Sequence, residues 1–507
     1  MNKILSRDPS LNTPLTEYET VIGLEVHVQL KTKTKMFCNC RADYQYAPPN
    51  TLVCPVCLGM PGVLPVVNHR AVEQTIASGL ALNCEISENT KFDRKNYPYP
   101  DLMKGFQISQ FDMPIAKNGH LEIELNGDKR SIGIERVHLE EDVAKLQHVN
   151  KDGEESYSLV DVNRSGVALM EIVGDPDIRS PEEARQYLIV LRSILQCIEV
   201  TTGNMEEGSL RCDANISVRP KGSKHYTTRT EIKNMNSFRS VYDALVYEIK
   251  RQIDVVETGG RVIQETRGWV EDRGVTVSQR SKEQAHDYRY FPEPDIPPMT
   301  IDRGWIETIL NQLPELPTEK RDRFVSQYHL SRYDAELLTM SKGMASFFEQ
   351  TIQGTKPTCA DHVQRSKSVA NWLLGDLTSW LHQNSITIED SKIKPSHIGE
   401  LLDMLEDGIL TTPLAKKVLA HSFANSISPL QLVREGGYEL IGDTSVVLKA
   451  VKDAIVSNPK AASDYRLGKQ TAAKFLVGQV MRITKGKADP VEVSALVEQE
   501  LKVIYEV

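Results

Sequence analysis

Alternating apolar and polar positions mark the first half of the chain. In residues 19–30, apolar side chains at every second position leave Gly23, Glu25, His27 and Gln29 on the opposite side. A period of two predicts a half-buried β-strand. Shorter alternations predict further strands at 120–125, 129–139, 155–163 and 208–218.

Two segments between these strands carry helix signals. Ser180 is followed by Pro181 and stands three residues before Glu183, which is the pattern of an N-cap serine, a first-turn proline and a capping glutamate. The apolar spacing that follows predicts a helix running toward Ile198. A second helix is predicted at 237–257, ending before two glycines.

A proline-rich segment closes this β-rich part of the chain. Four prolines fall within 291–298, and no helix or central strand accommodates them, so we place a domain boundary there. From about 302 onward helical periods dominate. The pattern predicts an α+β protein whose β-rich domain is followed by an all-helical region and a small helical tail.

Length and composition indicate an ordinary globular chain. It has 507 residues, of which 40% are hydrophobic and 25% charged, enough for several cores. No apolar run has the ~18–20 residues that span a bilayer, and the start has no signal-peptide pattern. We therefore expect a cytoplasmic protein without membrane partners. The 60 Lys and Arg against 69 Asp and Glu give a net charge of −9, which argues against a broadly basic surface.

Four of the eight cysteines are clustered. Cys38, Cys40, Cys54 and Cys57 form a C-x-C pair and a C-x-x-C pair, and two such pairs supply the four thiolates of a tetrahedral zinc site. Four thiolates leave no open position on the ion, so the predicted zinc is structural. The alternative is a group of four unligated thiols.

A second candidate metal site combines carboxylates with one imidazole. Glu25 and His27 point to the same side of the first strand, and Glu140, Glu141 and Glu171 lie in or beside apolar runs, where an unpaired carboxylate is costly. Such ligands bind hard cations such as Mg²⁺, and the Mg²⁺ ions of enzymes most often bind nucleotide phosphates as well. The alternative is a solvated strand face.

Two further segments place polar groups close together. Lys95, Tyr97 and Tyr99 lie in a predicted loop that two prolines keep from being regular. Such loops often bind ligands, and the alternative is an ordinary ordered loop. Arg211, Asp213 and Asn215 share one face of a predicted strand, where an internal ion pair is the simpler interpretation. The chain contains neither G-x-x-x-x-G-K-[ST] nor G-x-G-x-x-G, so phosphate chemistry would depend on the carboxylates and their metal.

Basic residues are concentrated near the C-terminus. Residues 460–487 contain seven cationic side chains and one acidic side chain: Lys460, Arg466, Lys469, Lys474, Arg482, Lys485 and Lys487 against Asp464. Clustered cations on a small helical domain favour a phosphate backbone such as that of RNA. The alternative is a solvated helix face.

Long motifs throughout the chain resemble those of the B subunits of bacterial tRNA-dependent amidotransferases. The resemblance runs from about residue 18 to the end. It rests on VIGLEVHVQL, PGVLPVVN, KFDRKNYPYPD, QISQFD, HLEED, LVDVNRSG, MEIV, PDIRSPEEA, MEEGSLRCDANIS, EIKNMNSF and DYRYFPEPDIPP, and on FLVGQVMRITKGKADP, which is similar to the family's YqeY-like tail.

The resemblance implies a reaction and its partners. The family converts Glu-tRNA(Gln), and often Asp-tRNA(Asn), to the amidated form. Its members use Mg²⁺-ATP to phosphorylate the side-chain carboxylate on the tRNA. Ammonia from a partner glutaminase, the A subunit, then displaces phosphate, and a small C subunit completes a heterotrimer.

The resemblance also implies a place for each candidate residue. Glu25, His27, Glu140, Glu141 and Glu171 match the family's Mg²⁺ site, and Lys95, Tyr97 and Tyr99 match a loop lining its cavity. The implied division is a cradle-like catalytic domain at 18–295 with the zinc knuckle at 38–57, a helical domain at 296–410, and a tRNA-binding tail at 411–507.

Two other functions fit the same residues. A zinc-containing tRNA-binding scaffold would bind tRNA without modifying it, its acidic cluster serving only the fold. A metal-dependent deacylase would use the carboxylates around a water molecule and release the free amino acid from the tRNA.

Overall fold

The computed structural model describes residues 18–151, 154–223, 227–281, 288–354, 362–436, 438, 444–467, 469 and 471–505. The chain divides into two compact units, residues 1–316 and 317–507. The first unit contains one large hydrophobic core. The described part of the second unit contains two further cores, one within 324–433 and one within 447–501.

The first unit is built on strands. They are β1 (Tyr18–Gln29), β2 (Glu85–Ile86), β3 (Asn89–Thr90), β4 (Asp93–Asn96), β5 (Phe106–Ser109), β6 (Ala116–Leu125), β7 (Asp128–Glu141), β8 (Lys145–Lys151), β9 (Glu154–Asp161), β10 (Ala168–Gly174), β11 (Leu210–Pro220), β12 (Thr230–Met235), β13 (Glu265–Val270), β14 (Val275–Ser281), β15 (Phe291–Pro292) and β16 (Met299–Thr300). Its helices are α1 (His69–Ala81), α2 (Pro181–Cys197), α3 (Phe238–Glu257) and α4 (Arg303–Gln312).

A nine-stranded sheet organises this unit. Its strand order is β14-β13-β12-β11-β1-β10-β7-β6-β2, with all pairs antiparallel except β12 and β13. On β1 the residues Ile22, Leu24, Val26 and Val28 are buried in the core, where helices α1, α2 and α3 contact the sheet. The odd-numbered residues of β1 therefore lie on the opposite face, which carries the candidate site.

Most of the predicted elements of this unit are confirmed, but the strand predicted at 155–163 ends at Asp161, and residues 162–164 form a 3-10 turn. The alternating segment 19–30 forms the central strand β1. Ser180 caps α2, accepting a hydrogen bond from the Glu183 backbone N–H at 3.1 Å, with Pro181 in the first turn. The helix predicted at 237–257 is α3, capped by Ser237.

The second unit is helical in its described residues, as predicted. Its helices are α5 (Pro317–Tyr328), α6 (Arg332–Thr339), α7 (Lys342–Gln353), α8 (His362–Trp372), α9 (Thr378–Asn384), α10 (Pro395–Glu406), α11 (Thr412–Asn425), α12 (Pro429–Gly436), α13 (Thr444–Ser457), α14 (Pro459–Arg466), α15 (Thr471–Ile483) and α16 (Pro490–Tyr505). Across the described part of the chain, no helix is both long and apolar enough to cross a membrane.

Candidate functional site

Three side chains form a row across the middle of the large sheet. The register places His27 of β1 beside Glu171 of β10, and Glu171 beside His138 of β7. Glu171 Oε2 lies 3.5 Å from His27 Nε2 and 3.2 Å from His138 Nε2. Burial alone would raise the pKa of Glu171, but His138, His27 and Lys95 outweigh it and hold this pKa well below its usual range.

Glu140 of β7 joins this row from the same face. Its carboxylate lies 3.7 Å from His27 Nε2 and accepts a hydrogen bond from Ser109 Oγ at 3.3 Å. One ligand atom each from His27, Glu140 and Glu171 lies within 4.8 Å of the others. We call these three residues the acidic cluster. Because Glu140 and Glu171 are buried and two carboxylates plus an imidazole are hard ligands, the donor set fits a hard divalent cation.

Two of the five residues matched to the metal site, Glu25 and Glu141, are not part of the acidic cluster. Glu25 stands one row further along β1, where Asn215 Nδ2 donates to its Oε1 at 2.8 Å. Burial, and then Glu171, Glu231 and Asp213, raise the pKa of Glu25. Glu141 points to the other face of the sheet because it directly follows Glu140; there it pairs with Lys104 and accepts from the Ile108 backbone N–H.

The three residues of the predicted polar loop, Lys95, Tyr97 and Tyr99, also differ in their distance from the site, and Lys95 lies on strand β4 and not in a loop. Lys95 lines the cavity described next, with its Nζ 5.0 Å from the centre of the Tyr288 ring, whereas Tyr97 does not line it and has its hydroxyl 3.5 Å from Gln107 Oε1. Burial opposes the charge on Lys95, but Glu140, Tyr290 and Glu171 raise its pKa overall. Burial raises the pKa of Tyr97. Tyr99 is 55% exposed and does not line the cavity described next.

A cavity of about 480 Å³ opens over this face of the sheet. Glu25, His27, Lys95 and Glu171 line it. It is also lined by residues that sequence reasoning did not assign to the site: Gln110, Phe111, Arg136, His138, Arg229, Glu231, Lys233, Gln264, Thr266, Tyr288 and Tyr290. The sequence contains two patterns that could have identified some of these residues. His138 lies two positions before Glu140 and therefore on the same face of the predicted strand, and Tyr288 and Tyr290 lie two positions apart in the motif DYRYFPEPDIPP.

The three polar residues of β11 pair with residues outside this strand and not with one another. Arg211 Nη2 donates to Asp142 Oδ2 at 2.8 Å, and Asp213 accepts from Lys233 Nζ at 2.6 Å. Asp142 is buried and also accepts from Gln29 at 2.7 Å. Burial alone would raise its pKa, but Arg211, Arg164 and Gln29 lower it. The contact between Arg211 and Asp142 therefore connects β11 to the end of β7, the strand that carries Glu140.

The four clustered cysteines converge in space. One sulfur from each of Cys38, Cys40, Cys54 and Cys57 lies within 4.8 Å of the others, and the sulfurs of Cys54 and Cys57 are 3.9 Å apart. Tetrahedral ligation at a Zn–S distance of ~2.3 Å requires about 3.8 Å between sulfurs. The pKa of Cys57 is lowered to about 4 by the hydrogen bond from Cys38, by a hydrogen bond from the Cys54 backbone and by the positive charge of Lys35. The arrangement therefore fits a metal ion.

Gly59 lets the backbone turn directly after the second cysteine pair. Its φ is +66°, and an added Cβ would lie 2.2 Å from Lys104 Cγ. Both the turn and the close approach of Lys104 therefore require glycine here. This contact joins the knuckle to β7, because Lys104 also pairs with Glu141.

The basic residues near the C-terminus lie on helices and turns of the third core. Lys460 is on α14, Lys474 and Arg482 are on α15, and Lys485 follows α15; all four are exposed. Lys469 is exposed and pairs with Asp464 at 3.0 Å, whereas Lys487 is half-buried. Arg466 ends α14, and its side chain lies outside what the structure describes.

Comparison with known proteins gives the family. Residues 20–307 match the GatB/GatE catalytic domain, and residues 347–501 match the GatB domain. The B subunit of the aspartyl/glutamyl-tRNA(Asn/Gln) amidotransferase from Carboxydothermus hydrogenoformans is 52% identical over 96% of this chain and 99% of the relative. The proteins of the same name from Caldicellulosiruptor bescii and Dehalococcoides mccartyi are 50% and 51% identical, over 96% and 94% of this chain and 100% and 97% of the relatives. The chain belongs to the family of aspartyl/glutamyl-tRNA(Asn/Gln) amidotransferase B subunits.

Proposed function

We propose that this chain amidates misacylated tRNA in the cytoplasm, in a heterotrimer with a glutaminase and a small third protein. Its substrates are Glu-tRNA(Gln), Asp-tRNA(Asn) or both, with Mg²⁺-ATP and ammonia. The acidic cluster carries this proposal, because it places a divalent-cation donor set inside a polar cavity on the domain that matches the family's catalytic model.

The reaction has two steps. A side-chain carboxylate is a poor acyl donor because its leaving group would be oxide. Transfer of the γ-phosphoryl group of ATP to a carboxylate oxygen gives an acyl phosphate and ADP. Ammonia then attacks the acyl carbon, inorganic phosphate leaves with the transferred oxygen, and the surplus proton of the nitrogen is lost. The product is the side-chain amide, still esterified to the tRNA.

The acidic cluster would hold Mg²⁺ through His27, Glu140 and Glu171. When bound, the ion neutralises phosphate charge during phosphoryl transfer. His138 holds the Glu171 carboxylate toward His27 from the other side, at 3.2 Å. Such outer partners fix the direction of a metal-binding side chain.

Other residues of the cavity act on the substrates. Lys95 keeps its charge beside Glu140 and Glu171, so its ammonium group attracts the incoming carboxylate and the transferred phosphoryl group. Burial raises the pKa of Tyr290 to about 12, so its hydroxyl stays protonated and can donate a hydrogen bond. We assign Glu25, which Asn215 fixes, to substrate positioning; Tyr99 and Glu141 take no direct part.

The remaining clusters serve structure and tRNA binding. Cys38, Cys40, Cys54 and Cys57 hold a structural zinc ion, whose four thiolates leave it no open position. The basic tail, with Lys460, Arg466, Lys469, Lys474, Arg482, Lys485 and Lys487, binds the phosphate backbone of the tRNA. This assignment rests on the exposure of most of these side chains.

The test reconstitutes the heterotrimer and supplies Glu-tRNA(Gln), Mg²⁺-ATP and ammonium chloride, which bypasses the glutaminase. Glutamine on the tRNA is measured for the wild type, Glu171→Gln and Glu122→Gln. We expect Glu171→Gln to lower the rate at least ~100-fold, the scale of losing a transition-state charge contact. Glu122 is an exposed residue of β6, so its variant should retain the wild-type rate.

Other outcomes would contradict the proposal. Release of free glutamate by the wild type in place of glutaminyl-tRNA would identify a deacylase. Tight tRNA binding without any modification would identify a scaffold. An unchanged rate in a folded Glu171→Gln variant would remove the acidic cluster from the chemistry.

A further inference from the structure

The zinc knuckle at 38–57 and the acidic cluster are joined through the end of β7. Glu140 and Glu141 are the last two residues of this strand. Glu140 belongs to the acidic cluster, and Glu141, on the opposite face, pairs with Lys104. Lys104 in turn packs against Gly59, directly after the second cysteine pair. The proposed function gives no part to this pair, although its side chains are only 12% and 5% exposed.

Strand β5 contacts both glutamates. The Ile108 backbone N–H donates to Glu141 Oε1 at 3.0 Å. Ser109, the next residue, donates from its Oγ to Glu140 Oε2 at 3.3 Å. Gln107 donates from its Nε2 to the Glu141 carbonyl oxygen at 2.6 Å. Because successive side chains of a strand point to opposite faces, contacts that hold the Glu141 side chain on one face also hold the Glu140 carboxylate on the other.

A second connection runs through Gly166. A Cβ added at Gly166 would lie 3.5 Å from Cys57 Cβ and 3.8 Å from Glu141 Oε2, so a cysteine of the knuckle and the end of β7 meet around this residue. The Gly166 backbone N–H donates to the Asp142 carbonyl oxygen at 2.8 Å, and the Gly166 carbonyl oxygen accepts from the Met36 N–H at 2.7 Å. The backbone that enters the knuckle and the backbone that leaves β7 are therefore bonded to the same residue.

Lys35 is a fully buried cation between the knuckle and this connection. Its Nζ lies 2.8 Å from the Leu52 carbonyl oxygen and 3.5 Å from the Val162 carbonyl oxygen. The third contact of Nζ is Cys57 Sγ at 3.7 Å, and none of the three is a carboxylate. A buried ammonium group is costly unless an anion compensates its charge. A divalent ion bound by four thiolates keeps a net negative charge, so Lys35 matches an occupied knuckle.

We propose that Lys104 is a positioning residue through which the occupied knuckle holds Glu140 in place, so that zinc occupancy sets the affinity of the acidic cluster for its divalent cation. The inference rests on the proposed function, which makes the acidic cluster the Mg²⁺ site. Without zinc, the four cysteines no longer hold one another, and the turn at Gly59 no longer supports Lys104. Glu141 is then a buried carboxylate without its cation, which is costly, and its side chain turns toward water. That movement displaces the end of β7, which carries Glu140.

The test measures binding of Mn²⁺, as a probe of the divalent-cation site, to the reconstituted heterotrimer without tRNA or ATP. Electron paramagnetic resonance gives the free Mn²⁺, elemental analysis gives the zinc content, and Glu171→Gln identifies the Mn²⁺ bound at the acidic cluster. Lys104→Met removes the cation, Lys104→Arg keeps it, and Cys54→Ser removes a zinc ligand. Arg251→Met is the matched control: Arg251 of α3 also pairs with a buried carboxylate, that of Glu248 at 2.6 Å, but does not line the cavity over the acidic cluster.

We expect Lys104→Met to retain its zinc and to bind Mn²⁺ about 10-fold more weakly, the lower end of the effect of partners that hold metal ligands. Cys54→Ser should lose zinc and weaken Mn²⁺ binding by a similar factor. The double variant should bind Mn²⁺ as Cys54→Ser does, because both changes act through one connection. Lys104→Arg should bind Mn²⁺ more tightly than Lys104→Met, and Arg251→Met should match the wild type.

Wild-type Mn²⁺ affinity in Lys104→Met, or in a folded Cys54→Ser variant without zinc, would overturn the inference. Equal weakening in Arg251→Met would also overturn it, because the effect would then follow general stability. The two proposals fail separately. A wild type that forms no glutaminyl-tRNA, but whose Mn²⁺ affinity depends on Lys104, contradicts only the proposed function. Product formation with a Mn²⁺ affinity that depends on neither Lys104 nor zinc contradicts only this inference.

Discussion

At the scale of single residues, carboxylates on this sheet differ by what surrounds them. Glu171 lies between two imidazoles and near Lys95, and these groups keep it ionised despite burial. Burial raises the pKa of Glu25, and the neighbouring carboxylates Glu171, Glu231 and Asp213 raise it further. Asp142 accepts hydrogen bonds from Arg211 and Gln29. The three carboxylates therefore differ in their partners, and this difference is the basis for the separate roles proposed for them.

We expect Asp142→Asn to lower the free energy of unfolding by about 1.5–3 kcal/mol, the scale of hydrogen bonds to a charged group, because the buried Asp142 carboxylate accepts from both Arg211 and Gln29. The charge left behind is that of Arg211, whose guanidinium loses its contact at 2.8 Å. Urea denaturation at neutral pH measures the change. Asp213→Asn is the matched variant on β11: Asp213 is less buried than Asp142, and its partner Lys233 keeps a second carboxylate, Glu231, at 3.2 Å, so the loss should be at most about 1 kcal/mol.

The ion pair between Asp142 and Arg211 also predicts that part of the stability of the protein is lost in acid. The folded-state pKa of Asp142 is lowered, so its contribution is complete above the unfolded-state value of about 3.9 and is lost as pH falls toward the lower folded-state value. The free energy of unfolding, measured from pH 6 downward, should therefore fall less steeply in Asp142→Asn than in the wild type. Parallel pH profiles would contradict this account of Asp142.

At the scale of elements, strand alternation could be predicted but strand neighbours could not. The period of two identified the face of β1 that carries Glu25 and His27. The same rule shows that Glu140 and Glu141 cannot both face one site, and Glu141 does lie on the other side, paired with Lys104. Nothing in the sequence shows that β10 lies between β1 and β7, which is what joins Glu171 to His27 and His138. Tyr288 and Tyr290 reach the cavity from a similarly distant part of the chain.

The cysteine knuckle yields a prediction at this scale. We expect about one zinc ion per chain by elemental analysis, and less than half of that in Cys54→Ser, because one of four thiolates is lost. Thermal unfolding should shift down in the variant and in wild type treated with a strong chelator, since metal binding is coupled to folding.

Cys84→Ala is the control for this experiment. Cys84 is buried apart from the knuckle, so its substitution should leave the zinc content unchanged. Full zinc content in Cys54→Ser would show that the four cysteines do not share one ion.

At the scale of the whole molecule, chemistry and tRNA binding are assigned to different units. The acidic cluster and the cavity over it lie in the first unit, and the basic tail lies in the second. Composition could not reveal this division, because the chain has a net charge of −9 and the excess of cations over 460–487 is local. A tail that binds the phosphate backbone should affect affinity and salt dependence but not the chemical step.

We therefore expect the triple variant Lys474→Ala, Arg482→Ala, Lys485→Ala to bind tRNA more weakly, with the rate at saturating Glu-tRNA(Gln) unchanged. Each lost phosphate contact should reduce the slope of log K against log salt by roughly 0.7–0.9. Lys452→Ala is the matched control, because Lys452 is exposed on α13 of the same core and lies 3.8 Å from Glu500. If the triple variant kept the wild-type affinity and slope, these cations would form only a solvated helix face, and tRNA binding would have to be sought on other surfaces of the heterotrimer.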